Sequence, residues 1–157
     1  MEVSSRFIWT SRILTFLFAF MMVSNYGGYS QPEEVVQLRE GMIAQLQSEA
    51  DKKNDEESLN AIEFITTEAE AVLIPEVYQK HSLHRMVGCF IVLLGLVLLR
   101  NLKSIGYHLL VAGLIFTLFT GFYTFGLGVF GWLFNLYYMC LAAFSIFYYT
   151  RKRALLT

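Results

Sequence analysis

The pattern of apolar and polar positions divides the chain into long apolar runs and one acidic segment. Residues 82–150 are almost unbroken apolar sequence, interrupted only at residues 100–104 and 125–128. A helix of about 20 apolar residues is long enough to cross a hydrocarbon core of roughly 30 Å. The pattern therefore predicts three membrane-spanning helices, over residues 82–99, 105–125 and 129–150.

A further apolar run near the N-terminus has two interpretations. Arg12 precedes the apolar residues 13–23, and Gly28 and Ser30 follow them. A basic residue, an apolar core and small residues before a cleavage point are the parts of a signal peptide. The alternative is a retained helix over residues 7–26, in which Arg12 extends to the membrane surface. We favour the retained helix, and both interpretations place the following segment on the far side of the membrane.

The segment 31–81 contains every Asp and Glu of the chain except Glu2. Ser30 and Glu33 have the spacing of a helix capping box. Apolar residues then recur at spacings of three and four, which predicts amphipathic helices. We expect two such helices in a hairpin, with a turn at residues 51–55, and we expect Pro75 to kink or end the second helix.

Charge then orients the predicted helices. Only 16% of the residues are charged, against about 25% in a soluble domain. The basic residues that flank the apolar runs mark one side of the membrane, which the positive-inside rule assigns to the cytoplasm. They are Arg6, Arg12, Arg100, Lys103 and residues 151–153. Both termini are then cytoplasmic, the hairpin is extracytoplasmic, and no basic patch remains for nucleic acid.

Small residues at regular spacing predict the faces on which helices pack. Two glycines of the second span lie seven residues apart, and three small residues of the third span lie four apart. Such faces allow close approach of helices in a membrane. An asparagine in the last span is expected to bond across a helix interface. The predicted packing positions are Gly88, Gly95, Gly113, Thr117, Gly121 and Asn135.

Candidate chemistry is sparse. His81 and His84 share a helix face and are the candidate metal ligands, but no third ligand has matching geometry, so we predict no metal and no cofactor. His108 lies near the opposite membrane surface, too far from His84 to share a haem. Cys89 and Cys140 form no CxxC motif and are expected in the apolar core.

The number of charged residues inside the predicted spans indicates whether the protein could be a transporter. Arg85 is expected to extend outward to the membrane surface, which leaves no charged residue deep in the last three spans. A proton relay normally needs such a residue, so the pattern counts against a transporter. The aromatic residues between Phe116 and Phe130 could line a quinone or lipid pocket, although helix packing is the commoner use of such residues.

Several short motifs resemble the YgdD-like family of small bacterial inner-membrane proteins. Residues 118–123, Leu-Phe-Thr-Gly-Phe-Tyr, resemble the Leu-Phe-Ser-Gly-Ser-Leu-Tyr run of that family, and Gly131-Trp132 resembles the Gly-Trp that opens its last helix. Tyr78-Gln79 followed by a histidine resembles its Tyr-Gln-x-x-His, with the spacing wrong by one. The resemblance implies four helices and carries no known activity.

The sequence thus predicts an all-α integral membrane protein, a four-transmembrane-helix bundle with an extracytoplasmic helical hairpin between its first and second helices. We expect a small non-enzymatic membrane subunit or assembly protein. Its expected partners are the lipid bilayer and a membrane protein or a second copy. The alternatives are a small transporter or channel protomer and a quinone- or haem-binding redox subunit. The predicted segments are 1–30, 31–81, 82–150 and the basic tail 151–157.

Overall fold

A computed structural model describes residues 5–53, 56–152 and 156, and all the regular structure within these ranges is α-helical. The helices of the described chain are α1 (Ser5–Ser30), α2 (Glu34–Lys53), α3 (Glu56–Val72), α4 (Pro75–Arg100), α5 (Ser104–Phe125) and α6 (Val129–Arg151). The predicted all-α fold is confirmed, with six helices rather than four in the described residues. Four of them, α1, α4, α5 and α6, are long and apolar enough to cross a membrane, as in an integral membrane protein.

Helix α4 begins at Pro75, seven residues before the predicted start at Ser82. Helix α3 ends at Val72, three residues before Pro75, as expected, and Pro75 itself lies in the first turn of α4. A proline fits the first turn of a helix because its missing N–H would have no partner there. The longer α4 therefore carries His81 within the helix, and the predicted boundary between residues 81 and 82 falls inside it.

The predicted capping box is also wrong. The Ser30 hydroxyl donates to the carbonyl of Gly27 at 3.1 Å, within the last turn of α1, and α2 begins only at Glu34. Helix α2 continues to Lys53, so the first part of the predicted turn is helical, and residues 54–55 lie outside the described residues.

Helix α1 packs into the bundle along its whole length. Phe7, Leu14 and Phe18 are each at most 1% exposed. Near the start of α1 the Ser11 hydroxyl shares a 2.6 Å hydrogen bond with the Tyr149 hydroxyl of α6. Near its end, a Cβ atom at Gly28 would lie 2.7 Å from the Ser82 hydroxyl of α4. These contacts make α1 a structural member of the bundle.

Helices α4 and α5 approach each other through glycine. A Cβ atom at position 95 would lie 2.6 Å from the backbone nitrogen of Leu110, and one at Gly106 would lie 2.7 Å from the carbonyl oxygen of Gly95. At Gly113, a Cβ atom would lie 2.9 Å from the backbone nitrogen of Val92. The neighbouring atoms are backbone atoms and cannot swing away. Backbone-to-backbone contact of this kind is the usual use of small residues in membrane helices.

Helices α2 and α3 contact each other and the ends of two membrane helices, α4 and α6. A second core cluster forms there, with Val35 of α2, Ala69 of α3 and Phe130 of α6 among its buried members. The Glu68 carboxylate of α3 accepts a hydrogen bond from the Phe130 backbone N–H at 3.3 Å. Because a helix N-terminus carries partial positive charge, this carboxylate stabilises the start of α6.

The glycine contact between α4 and α5 can be tested with a single methyl group. We expect Gly95→Ala to lower the free energy of unfolding by about 1–3 kcal/mol, because the added Cβ overlaps backbone atoms. Gly27→Ala is the matched control, since a Cβ there meets nothing within 4 Å. Reversible unfolding in mixed micelles gives the free energy of unfolding of both variants. An equal response of the two variants would contradict the close approach.

The Glu68 contact can be tested by removing its carboxylate. We expect Glu68→Ala to cost about 1 kcal/mol, the typical value of a lost helix cap, and to speed protease cleavage within α2 and α3. The exposed Glu70, on the same helix, provides the control Glu70→Ala. Cleavage that is no faster in Glu68→Ala than in the control would show that Glu68 does not hold α3 on α6.

Candidate functional site

Arg85 lies inside the bundle and is 3% exposed. It is the eleventh residue of α4, about 15 Å from the start of that helix at 1.5 Å per residue. The prediction that Arg85 extends outward is therefore wrong, because its side chain lies between the helices of the bundle. The physical reason is helical periodicity. Arg85 stands three residues before Gly88, so it shares the buried face on which that glycine packs.

The guanidinium joins α4 to α6. One of its terminal nitrogens, Nη2, donates to the side-chain oxygen of Asn135 at 2.8 Å. Its central carbon lies 3.8 Å from the centre of the Tyr138 ring. A cation above an aromatic face is attracted by about 2 kcal/mol when water is excluded. The hydrogen bond and the ring contact together hold Arg85 between two positions of one α6 face.

Tyr138 extends this contact to α1. Its hydroxyl accepts a hydrogen bond from the Asn25 side-chain amide at 3.0 Å. The same amide also donates to the carbonyl of Met21 at 2.6 Å. The four side chains that form this network are called the Arg85 cluster below: Asn25, Arg85, Asn135 and Tyr138. They connect three membrane helices at one level.

Asn135 is fully buried and has its hydrogen bonds formed. Its amide nitrogen donates to the carbonyl of Gly131 at 2.9 Å, while its oxygen accepts from Arg85. A Cβ atom at Gly121 of α5 would lie 2.6 Å from that amide nitrogen. Gly121 therefore leaves the space that Asn135 fills, and the structure brings these two predicted packing positions together.

The other predicted packing positions lie along the interface of α4 and α5. A Cβ atom at Gly88 would lie 3.2 Å from the Cβ of Thr117. The Thr117 hydroxyl donates to the carbonyl of Gly113 at 2.8 Å. Gly106 packs against Gly95 in the same interface and was not among the predicted positions. Its role depends on a residue of another helix, which spacing within one helix does not reveal.

The charge of Arg85 has no anionic partner among the described residues. Among the side chains of residues 5–49, 56–152 and 156, it contacts the neutral groups of Asn135 and Tyr138, and its Nε atom is buried with no hydrogen-bond partner. An unpaired charge costs several kcal/mol even after relaxation of a protein interior. The Arg85 cluster therefore compensates only part of the cost of burying the guanidinium.

The two candidate metal ligands point at aromatic rings. The His81 ring centre lies 4.3 Å from that of Phe125, and the His84 ring centre lies 6.5 Å from that of Phe116. In the described part of the chain, neither Nδ1 atom has a hydrogen-bond partner. Phe125 also stacks on Phe134, at 4.8 Å. These two rings and Phe130 form the aromatic layer, which covers His81 on the α2–α3 side of Arg85.

The two cysteines differ in their surroundings. Cys89 is buried, whereas Cys140 is exposed on the surface of α6. The expectation that both lie in the core is therefore wrong for Cys140. A residue that faces lipid and a residue in the protein core both lie in apolar surroundings. The apolar run around Cys140 therefore does not show which of the two positions the cysteine occupies.

An open apolar groove runs between α3 and the first turns of α6, with a volume of about 610 Å³. Phe64 forms its α3 side, and residues of α6 form the other. We call it the α3–α6 groove. It is lined by Phe64, Leu127, Gly128, Val129, Trp132, Leu133 and Leu136.

The electrostatics of the Arg85 cluster can be tested with a pair of substitutions. We expect Asn135→Leu to lower the free energy of unfolding by about 1.5–3 kcal/mol, because it removes a hydrogen bond to a charged group. Adding Arg85→Met should recover much of this loss, since apolar residues often replace a buried charged pair without cost. Arg100→Met, at an exposed position of α4, controls for the loss of an arginine. If the stability losses of Asn135→Leu and Arg85→Met simply added in the double variant, the contact between the two side chains would be contradicted.

The described residues contain no group of three or more His, Cys, Asp or Glu side chains that could hold a metal ion. His108, at the other end of the membrane helices, instead bonds through Nδ1 to the carbonyl of Ser104 at 3.2 Å. Among the described residues, the Arg85 cluster brings together polar side chains of three membrane helices. Comparisons of this chain with protein-family models, with curated proteins and with solved structures found no match.

Proposed function

We propose that this protein is a small non-enzymatic membrane interaction protein that binds a transmembrane helix of a partner in the α3–α6 groove. The observation that carries the proposal is the composition of the groove. Its lining residues are all apolar or glycine, and its large side chains stay uncovered: Phe64 is 62% exposed and Trp132 is 52% exposed. A continuous uncovered apolar surface of this kind is typical of an interaction site.

The depth of the groove favours a helix over a soluble partner. Leu136 is the eighth residue of α6, so the groove continues about 10 Å along that helix. A soluble partner would not reach that depth within lipid. A bound acyl chain would end near the headgroups, whereas the groove continues to Phe64 on α3, outside the membrane-spanning helices. A helix that leaves the bilayer beside α3 matches both ends of the groove.

Charge supports an orientation for this arrangement. The positive-inside rule favours cytoplasmic termini, with α2 and α3 on the extracytoplasmic side as a helical hairpin. The buried residues of α1 favour its retention as the first span. The resemblance to the YgdD-like family favours the inner membrane of a bacterium. The partner is then another protein of that membrane or a second copy of this chain.

Site-specific photocrosslinking in native membranes tests the proposal. A photoreactive phenylalanine analogue at position 64 or 132 is expected to give a discrete protein adduct. The same analogue at Phe147, which is 59% exposed near the other end of α6, is the matched control and is expected to label lipid. An adduct of twice the chain mass would identify a second copy as the partner. Lipid adducts alone at positions 64 and 132 would contradict the proposal.

A further inference from the structure

We propose that the Arg85 cluster binds a small monovalent inorganic anion, such as chloride, inside the helix bundle. The inference concerns a different part of the molecule from the α3–α6 groove and does not depend on a partner. It starts from the charge of Arg85, which a guanidinium keeps in proteins. The side chain is 3% exposed, and its contacts with Asn135 and Tyr138 are with neutral groups.

A buried charge in an apolar medium is normally paired or neutralised. Among the described side chains, those of residues 5–49, 56–152 and 156, no carboxylate forms an ion pair with Arg85. Asn135 occupies the position from which a carboxylate would do so. An amide accepts one hydrogen bond there but supplies no negative charge. The described residues therefore supply no negative charge to balance Arg85, and a bound anion would supply it.

Unused hydrogen-bonding atoms lie on the same stretch of α4 as that charge. Arg85 Nε is buried without a partner among the described residues, and so are the Nδ1 atoms of His81 and His84. His81 is one helical turn from Arg85 and is itself 3% exposed. An imidazole whose Nδ1 carries the proton donates a hydrogen bond. These atoms on one turn of α4 supply the donors that an anion accepts.

The surroundings limit the size and charge of the ligand. One guanidinium among neutral contacts balances one negative charge. The aromatic layer covers His81, one turn from Arg85, and Asn135 fills the space left by Gly121. A lipid phosphate cannot reach a side chain that is 3% exposed without separating the helices. A compact ion is therefore favoured over a headgroup. Water is the competing occupant, but it would leave the charge unbalanced.

Stability in chloride tests the proposal on the purified full-length protein in detergent. Chloride is exchanged for gluconate at constant ionic strength, and the unfolding temperature is recorded. A ligand bound only by the folded state raises this temperature as its concentration passes the dissociation constant. We expect a saturating rise of roughly 5 °C up to a few hundred millimolar chloride. No chloride dependence in the native sequence would overturn the proposal and favour water.

Two variants then locate the effect. Arg85→Gln removes the charge and is expected to abolish the chloride dependence. Asn135→Asp places a carboxylate against Arg85, so it is expected to abolish the chloride dependence although the arginine is still present. This variant keeps the test decisive if Arg85→Gln does not fold. The control Arg100→Gln, at an exposed arginine, should retain the full rise. Chloride dependence that persists in Asn135→Asp would place the ion elsewhere and overturn the proposal.

Broadening of the chloride NMR signal provides a readout that does not involve stability. Exchange of chloride with a protein site broadens the bulk signal. We expect broadening with the native sequence and with Arg100→Gln, and its loss in Asn135→Asp. Equal broadening in all three proteins would assign the signal to nonspecific surface binding and count against a site at Arg85.

Discussion

The hydrogen bond from Arg85 to Asn135 is the buried polar contact that joins α4 to α6 and fixes which of their faces meet. Lipid tails are as apolar as leucine, so burial alone gives membrane helices little reason to associate. Close packing and polar contacts decide which faces meet. Helix α4 lies against α5 through glycine, contacts α6 through Arg85, and is linked to α1 through Tyr138 and Asn25. The helix that carries the buried charge thus contacts each of the other three membrane helices.

Much of the fold could be predicted from the sequence because long apolar runs and small-residue spacing are local signals. The Gly88 and Gly95 face was available from spacing alone, and Arg85 lies on the same face three residues earlier. The distance of Arg85 from the membrane surface predicts a side chain that extends outward, whereas its position on the packing face predicts the buried side chain that the structure has. Contacts that depend on two helices, such as Gly106 with Gly95, have no signature within one segment. The Arg85 cluster combines a local and a non-local signal. The position of Arg85 on the face of α4 is local, but its contacts come from α1 and α6.

The α3–α6 groove and the aromatic layer are separate features, but α3 contributes to the surroundings of both. Phe64 forms one side of the groove, and Glu68, one turn later, contacts the start of α6. Ala69 belongs to the core cluster that also contains two rings of the aromatic layer, Phe125 and Phe130. A helix bound in the groove, as proposed above, would touch the same element that packs against the aromatic layer.

The space shared by Gly121 and Asn135 also restricts how this sequence can change. A side chain at position 121 would occupy the volume of the Asn135 amide, so alanine there requires a smaller residue at 135. The smaller residue would remove the hydrogen-bond acceptor of Arg85. A buried arginine at position 85 would then lack that partner and would destabilise the protein. The three positions should therefore vary together among relatives. This covariation gives a criterion by which distant homologues can be recognised when the rest of the sequence has diverged.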